Sequence, residues 1–158
     1  MKRSGVDFGH TVRAAQCGDR RAVRDVLDSV RPSVVRYCRA RVSASGGRAD
    51  RLAHAVCRRV LGELPGYQPR DGDFAAFVYR IAAHTVTRAE AAAPSPVGSP
   101  VQELSVRHRE ILILRIAVGL SAEEAASALG CTVAAIRLGQ HHALAELRER
   151  GGGGGAVR

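Results

Sequence analysis

The chain has 158 residues, enough for one ordinary domain or two small ones, and its 46% apolar content supports a packed core rather than wholesale disorder. Aromatics are only 4% and Trp is absent, so that core must be built from Ala, Val, Leu and Ile, a composition that suits packed helices. The formal net charge of +9 comes from 24 Lys plus Arg against 15 Asp plus Glu, and Lys2 is the only lysine. Arg prefers planar anions such as phosphates and guanine edges, so nucleic acid is the leading partner, ahead of membrane surface or acidic protein. The charge is uneven: residues 1–93 carry 17 basic and 9 acidic side chains, residues 94–158 carry 7 and 6.

The four cysteines, at 17, 38, 57 and 131, show no CxxC spacing, which argues against a structural zinc module and for a reducing compartment. His54, Cys57 and Cys38 could in principle approach one another, but small buried thiols in helices are the favoured reading, and neither a metal nor another cofactor is expected. No signal-type start and no apolar run near the ~20 residues of a membrane span is visible, so no membrane association and a cytoplasmic location are expected. A phosphate loop or a catalytic dyad with sensible spacing is also missing, so the protein is not expected to be an enzyme.

In chain order, residues 1–16 lack a strong period and read as a flexible arm. From Gly18 onward Val23, Val26, Leu27, Val30, Val34, Val35, Cys38 and Val42 recur at helical spacing, with Pro32 fitting a kink or the first turn of a second helix. SASGGR at 43–48 is a loop. Leu52, Val56, Val60 and Leu64 then form one stripe, with Arg51, Arg58 and Arg59 pointing away. PGYQPRDGD at 65–73 is a Pro/Gly loop, followed by a helix whose expected core is Phe74, Phe77, Val78 and Ile81. PSPVGSP at 94–100 breaks the periodicity and reads as an interdomain linker. Beyond it Ile111, Leu112, Leu114 and Ile116 form an apolar helical cluster closed by Gly119, and the Gly-rich tail 151–158 is flexible. The expected fold is all-α, with two small helical domains at 17–93 and 101–150.

The segment LSAEEAASALGCTVAAIRLGQHHALAEL, from Leu120, carries the most specific pattern. Ser121 and Glu124 have capping-box spacing, and Gly130 can take the left-handed conformation that stops a helix. Thr132 then caps a second helix with Val133, Ile136, Gln140, Ala143, Leu144 and Leu147 inward. Helix, tight glycine turn, helix is the helix-turn-helix signature. Outward, small Ala134 and Ala135 permit close approach to a groove floor, Arg137 can fork onto guanine or phosphate, and His141 and His142 follow one turn on. Gly139 inside this helix costs ~1 kcal/mol relative to Ala, which points to a close contact there.

The stretch LSVRHREILILRIAVGLSAEEAASALGCTVAAIRLGQHHALAEL resembles the −35-reading domain of bacterial RNA polymerase sigma factors of the extracytoplasmic-function group. GDRRAVRDVLDSVRPSVVRYCRARV, ADRLAHAVCRRVLGELPGY and FAAFVYRIAAHTV resemble their promoter-melting domain. The resemblance implies a transcription initiation subunit with core RNA polymerase (its β′ coiled coil and β flap) and promoter DNA as partners, and admits an anti-sigma protein. It implies polymerase binding by Asp50, Leu52, Ala53, His54 and Val56. It implies −10 capture by the loop from Tyr67 to Asp73 and the helix after it. Stacking aromatics and positive charge are what single-stranded bases need, and Tyr67, Phe77, Tyr79, Arg80, His84 and Arg88 offer both. Thr132, Ala135, Arg137, His141 and His142 would read the −35 groove. The alternative reading is a degenerate sigma-like protein or a stand-alone helix-turn-helix regulator.

Two departures from the family pattern matter. The docking segment ADRLAHAV keeps Asp50 but has Arg51 for the next acid and His54-Ala55 for the usual Gln-Glu. The second departure is the linker, whose seven residues extend at most ~25 Å. Promoter elements two turns apart are ~70 Å apart, and two domains of ~12 Å radius of gyration add only ~30 Å. Either helix ends join the linker, the DNA bends, or the two domains do not engage a promoter together.

Overall fold

A computed structural model describes residues 5–42, 46–69, 73–92 and 100–152. Of the expected linker only Pro100 falls among them. Residues 43–45 and 70–72 of the expected loops and 153–158 of the tail lie outside them. The described residues form seven α-helices and no strand.

The expected arm is instead helix α1, Gly5–Gln16. Phe8, Val12 and Ala15, at i, i+4 and i+7, face inward, with Val12 and Ala15 buried and Phe8 edge-on to Phe74 at 5.3 Å. The Gln16 side-chain amide donates to the carbonyls of Leu64 (3.0 Å) and Tyr67 (2.7 Å), tying α1 to the far end of the first body. Gly18 (φ 87°) reverses the chain, and the Asp19 carboxylate caps α2 by accepting from the amides of Arg21 and Ala22. Those two amide bonds hold its pKa below the usual carboxylate range.

Helix α2, Arg20–Arg41, runs through Pro32 as one helix rather than two. Pro32 removes the donor to the Asp28 carbonyl, but both residues are exposed and water can serve that carbonyl. Val26, Val30, Val34 and Cys38 are its buried seam, and burial pushes the Cys38 thiol up to about 12. Helix α3, Gly46–Glu63, packs Ala49, Ala53, Val56 and Val60 against it and ends in a 3-10 turn, Leu64–Gly66. The Asp73 carboxylate then accepts from the Ala76 amide at the start of α4, Phe74–Ala92.

A 3-10 turn, Pro100–Glu103, precedes α5, Val106–Leu112, which widens into a π-helical turn over Ile113–Val118 before Gly119 (φ 85°). That wider turn rotates the register, so Ile113, Leu114 and Val118 are buried while Ile116, a member of the apolar cluster read from the sequence, is 59% exposed. Helices α6, Ala122–Leu129, and α7, Val133–Gly152, complete the second body, with α7 taking up Gly151 and Gly152 of the expected tail. The two bodies share one core: buried side chains run without interruption from Val12 through Val34 and Ile81 to Leu114 and Ile136. Leu104, Leu112 and Ala143 form a smaller satellite cluster.

Candidate nucleic-acid interface

The helix-turn-helix is capped as its sequence predicts. Ser121 Oγ accepts from the Glu124 amide at 3.0 Å, and the Glu124 carboxylate accepts from the Ser121 amide at 2.7 Å. Gly130 sits at φ 63°, which lets the Cys131 amide return to the Ala126 carbonyl at 3.0 Å. Thr132 Oγ1 accepts from the Ala135 amide at 3.2 Å, opening α7.

Ile136 and Ala143 anchor α7 with no exposure at all. The close contact expected at Gly139 lies on this inner side: a Cβ there would stand 2.6 Å from Ile111 Cδ1. Ala134, Arg137, Leu138, His141 and His142 are exposed. Among the described residues the Arg137 guanidinium pairs with Glu123 at 3.5 Å, more than 60% exposed on both sides. The Glu123 carboxyl is held low first by its own backbone amide, then by Ser121, with Arg137 and Arg115 adding to this. His142 leans toward α5, its ring 6.4 Å from that of His108, which faces Glu146 at 3.5 Å. Thr132 is occupied as a cap and Ala135 is half-buried, so the outward set is Ala134, Arg137, Leu138 and His141. Sequence patterning did not single out Leu138. It is 57% exposed, and an apolar side chain there can meet a thymine methyl.

The first body divides its expected site. Arg80, His84 and Arg88 stand exposed along α4 at i, i+4 and i+8. Arg59 of α3 joins them: Nη1 donates to His84 Nδ1 at 2.9 Å and Nη2 pairs with Glu63 at 3.1 Å. Phe77 takes the core place expected of it rather than the stacking one, and Tyr67 is a correction: both are buried, their rings 4.9 Å apart and each against Phe74. They line the floor of an open groove rimmed by Arg59, Arg80 and His84 but present no free ring face for stacking. Tyr79 is also turned away: its hydroxyl donates to Glu110 at 3.0 Å.

The expected polymerase-binding set separates in the same way. Ala53 and Val56 are buried against α2, because a helix packed on its neighbour at i, i+3 and i+7 has no second use for that face. Asp50 and His54 are exposed and Leu52 is half-buried. Asp50 accepts from Arg39 at 3.2 Å. Beside them runs a groove between α2 and α3, with Arg24, Arg31, Arg39 and Arg58 over a floor of Leu27, Val35, Cys57 and Leu61. Burial raises the Cys57 pKa, while Arg31 lowers it in part.

A capping box, a left-handed glycine and a second helix with a cationic outer face define a helix-turn-helix protein, here joined to a second helical body. No helix among the described residues is long and apolar enough to cross a membrane, and no group of three His, Cys, Asp or Glu among them could hold a metal ion. The chain belongs to the ECF RNA polymerase sigma factors. It is 40% identical over 182 residues to SigD of Mycobacterium tuberculosis, covering 94% of this chain and 86% of that one. It is 35% identical to ShbA of Streptomyces griseus, covering 89% and 93%. No family model matches. Two solved structures share its fold. CnrH in complex with the cytosolic domain of CnrY has a TM-score of 0.72 and 24% identity, covering 88% of this chain and 93% of the other. RpoE in complex with the anti-sigma factor NepR from Bartonella quintana has a TM-score of 0.60 and 19% identity, covering 80% and 94%.

Proposed function

We propose that this sigma factor acts as a non-catalytic subunit that brings core RNA polymerase to promoters through two readers. The second body reads the −35 element with Arg137, Leu138 and His141 of α7 in the major groove, Ala134 allowing close approach. The observation that carries this reading is the outer face of α7, where the Arg137 guanidinium, in a weak exposed pair with Glu123, and the exposed His141 imidazole stand clear of their own core. The first body captures the displaced −10 strand along Arg59, Arg80, His84 and Arg88, which follow a backbone by charge. The exposed part of α3 around Asp50, Leu52 and His54 meets the polymerase, with β′ as the docking subunit and the β flap meeting the second body. The added arginine at 51 favours a less basic patch of polymerase than an acidic helix would choose. An anti-sigma protein, of the kind bound to RpoE, is a further partner we infer.

Reconstitution with core polymerase tests this directly. Run-off transcripts from a defined start and permanganate-reactive thymines at −10 are expected. Binding to polymerase or DNA without strand opening would leave a regulator that cannot melt promoters, and the proposal would fail.

A further inference from the structure

Glu110 of α5 is a charged residue with almost no access to water, 6% exposed, and its hydrogen-bond partners come from the other body. One carboxylate oxygen accepts from the hydroxyls of Tyr37 (3.1 Å, α2) and Tyr79 (3.0 Å, α4), and the other is bound by the Arg41 guanidinium of α2. Arg41 continues the chain to Glu90 at 2.6 Å, and Arg36 donates to the Val118 carbonyl of the π turn at 3.1 Å. Burial raises the pKa of both tyrosines, with Glu110 adding to it. Burial works against the Arg41 charge, and Glu110, Tyr37 and Glu90 more than offset it.

The apolar seam around this cluster is less complete than a domain core. A cavity of ≈ 120 Å³ remains between Val34, Val78 and Ala82 on one side and Leu114, Val118 and Leu120 on the other. Separation therefore forfeits incomplete packing, and every member of the polar cluster regains water. The −10 and −35 elements lie ~70 Å apart along DNA, whereas bodies in contact hold their readers within roughly two domain radii.

We propose that Glu110, seated in the Tyr37–Arg41–Tyr79 socket, is a latch that holds the two bodies closed and keeps this protein off bipartite promoters until they are parted. The proposal rests on the promoter-reading assignment above. A buried ion pair contributes specificity more than strength: it roughly breaks even against apolar replacements, while loss of one partner strands the other charge. In the closed form Glu110→Gln removes the charge from that acceptor, while Arg41 keeps Glu90 at 2.6 Å, and the open form hydrates every member of the cluster. Glu110→Gln should therefore shift the closed-to-open equilibrium toward open by ~10-fold or more.

The test uses the full chain. Small-angle scattering on the wild type should give the ~15 Å radius of gyration of a compact 158-residue chain. E110Q should give a larger radius with helicity and cooperative melting kept, and should half-saturate core polymerase at a concentration at least ~10-fold lower. Y37F/Y79F removes two donors without placing a new group in the socket. It should open partly and stands in if E110Q does not fold. The double variant R41M/E110L, apolar and of similar volume, should close again. An unchanged radius in both polar variants, or an open E110Q with no gain on polymerase, would overturn the latch. Failure of the sigma assignment is distinguishable, because the wild type would then give no transcript whether or not the radius changes.

Discussion

Helices α4 and α7 each carry basic side chains at helical spacing, but their surroundings differ. Helix α4 is enclosed by α2 and α3 on one side and by α6 on the other, burying Phe74, Ala76, Phe77, Val78, Ile81, Ala82 and Val86. What remains exposed is a narrow strip, Arg80–His84–Arg88, with Thr87 beside it and Ala91 and Ala92 at the end. Helix α7 lies at the edge of the second body and buries only Ile136 and Ala143 fully, so it exposes a face several residues wide. A single strip can follow one phosphate backbone. A bare face is needed to enter a major groove ~12 Å wide and reach base edges. On the function proposed above, the enclosed helix would serve a displaced strand and the edge helix a duplex, a difference that residue counts alone do not convey.

The contrast can be broken most severely at Phe77. Phe77→Ala should cost about 3–5 kcal/mol of stability in a denaturation series, the range for a large buried ring. Full stability with lost promoter opening would return Phe77 to a stacking role and show α4 to be more open than described.

At Gly139 two effects oppose each other. Alanine gains ~1 kcal/mol of helix propensity, but its Cβ would meet Cδ1 of the fully buried Ile111 at 2.6 Å, and overpacking costs about 1–3 kcal/mol. Net destabilisation of roughly 1 kcal/mol is expected from these terms. A rise in melting temperature would mean that Ile111 can swing aside and that α7 sits less tightly on its core.

The smallest stability effect and the sharpest functional one should coincide at Arg137. Arg137→Ala should leave stability within about 0.5 kcal/mol, as exposed ion pairs contribute little. It should weaken binding to a −35 duplex by about 1–3 kcal/mol, with preference relaxed at one base pair. Equal weakening on all sequences in an anisotropy titration would make it a phosphate contact and bring α7 closer to α4 in kind.

Local chemistry made the second body legible beforehand. Ser121, Glu124, Gly119, Gly130 and Thr132 each act on neighbours within a few residues, so their roles could be read without knowing the rest of the molecule. Helix α1 was missed although Phe8, Val12 and Ala15 have the right spacing, because Gly5 and Gly9 dilute the pattern and the partner of Phe8 is Phe74. Tyr67 and Phe77 were ambiguous for a different reason: an aromatic on a helix or loop is equally suited to a core and to a stacked base, and only its neighbours decide. Ile116 falls out of the apolar cluster because a π turn breaks the 3.6-residue period on which the pattern rests.

The sequence alone determined the all-helical class, the helix-turn-helix with its caps, and the cationic side chains of α4 and α7. These follow from short-range spacing and from charges that stay in water. Only the tertiary structure decided which aromatics are spent on the core and that Arg59 joins the α4 strip. It alone revealed that Glu110, which no sequence motif singles out, is buried among Tyr37, Arg41 and Tyr79 of the other body. Those residues lie 31 to 73 positions away along the chain, and whether a charge is hydrated or buried depends on what folding brings beside it.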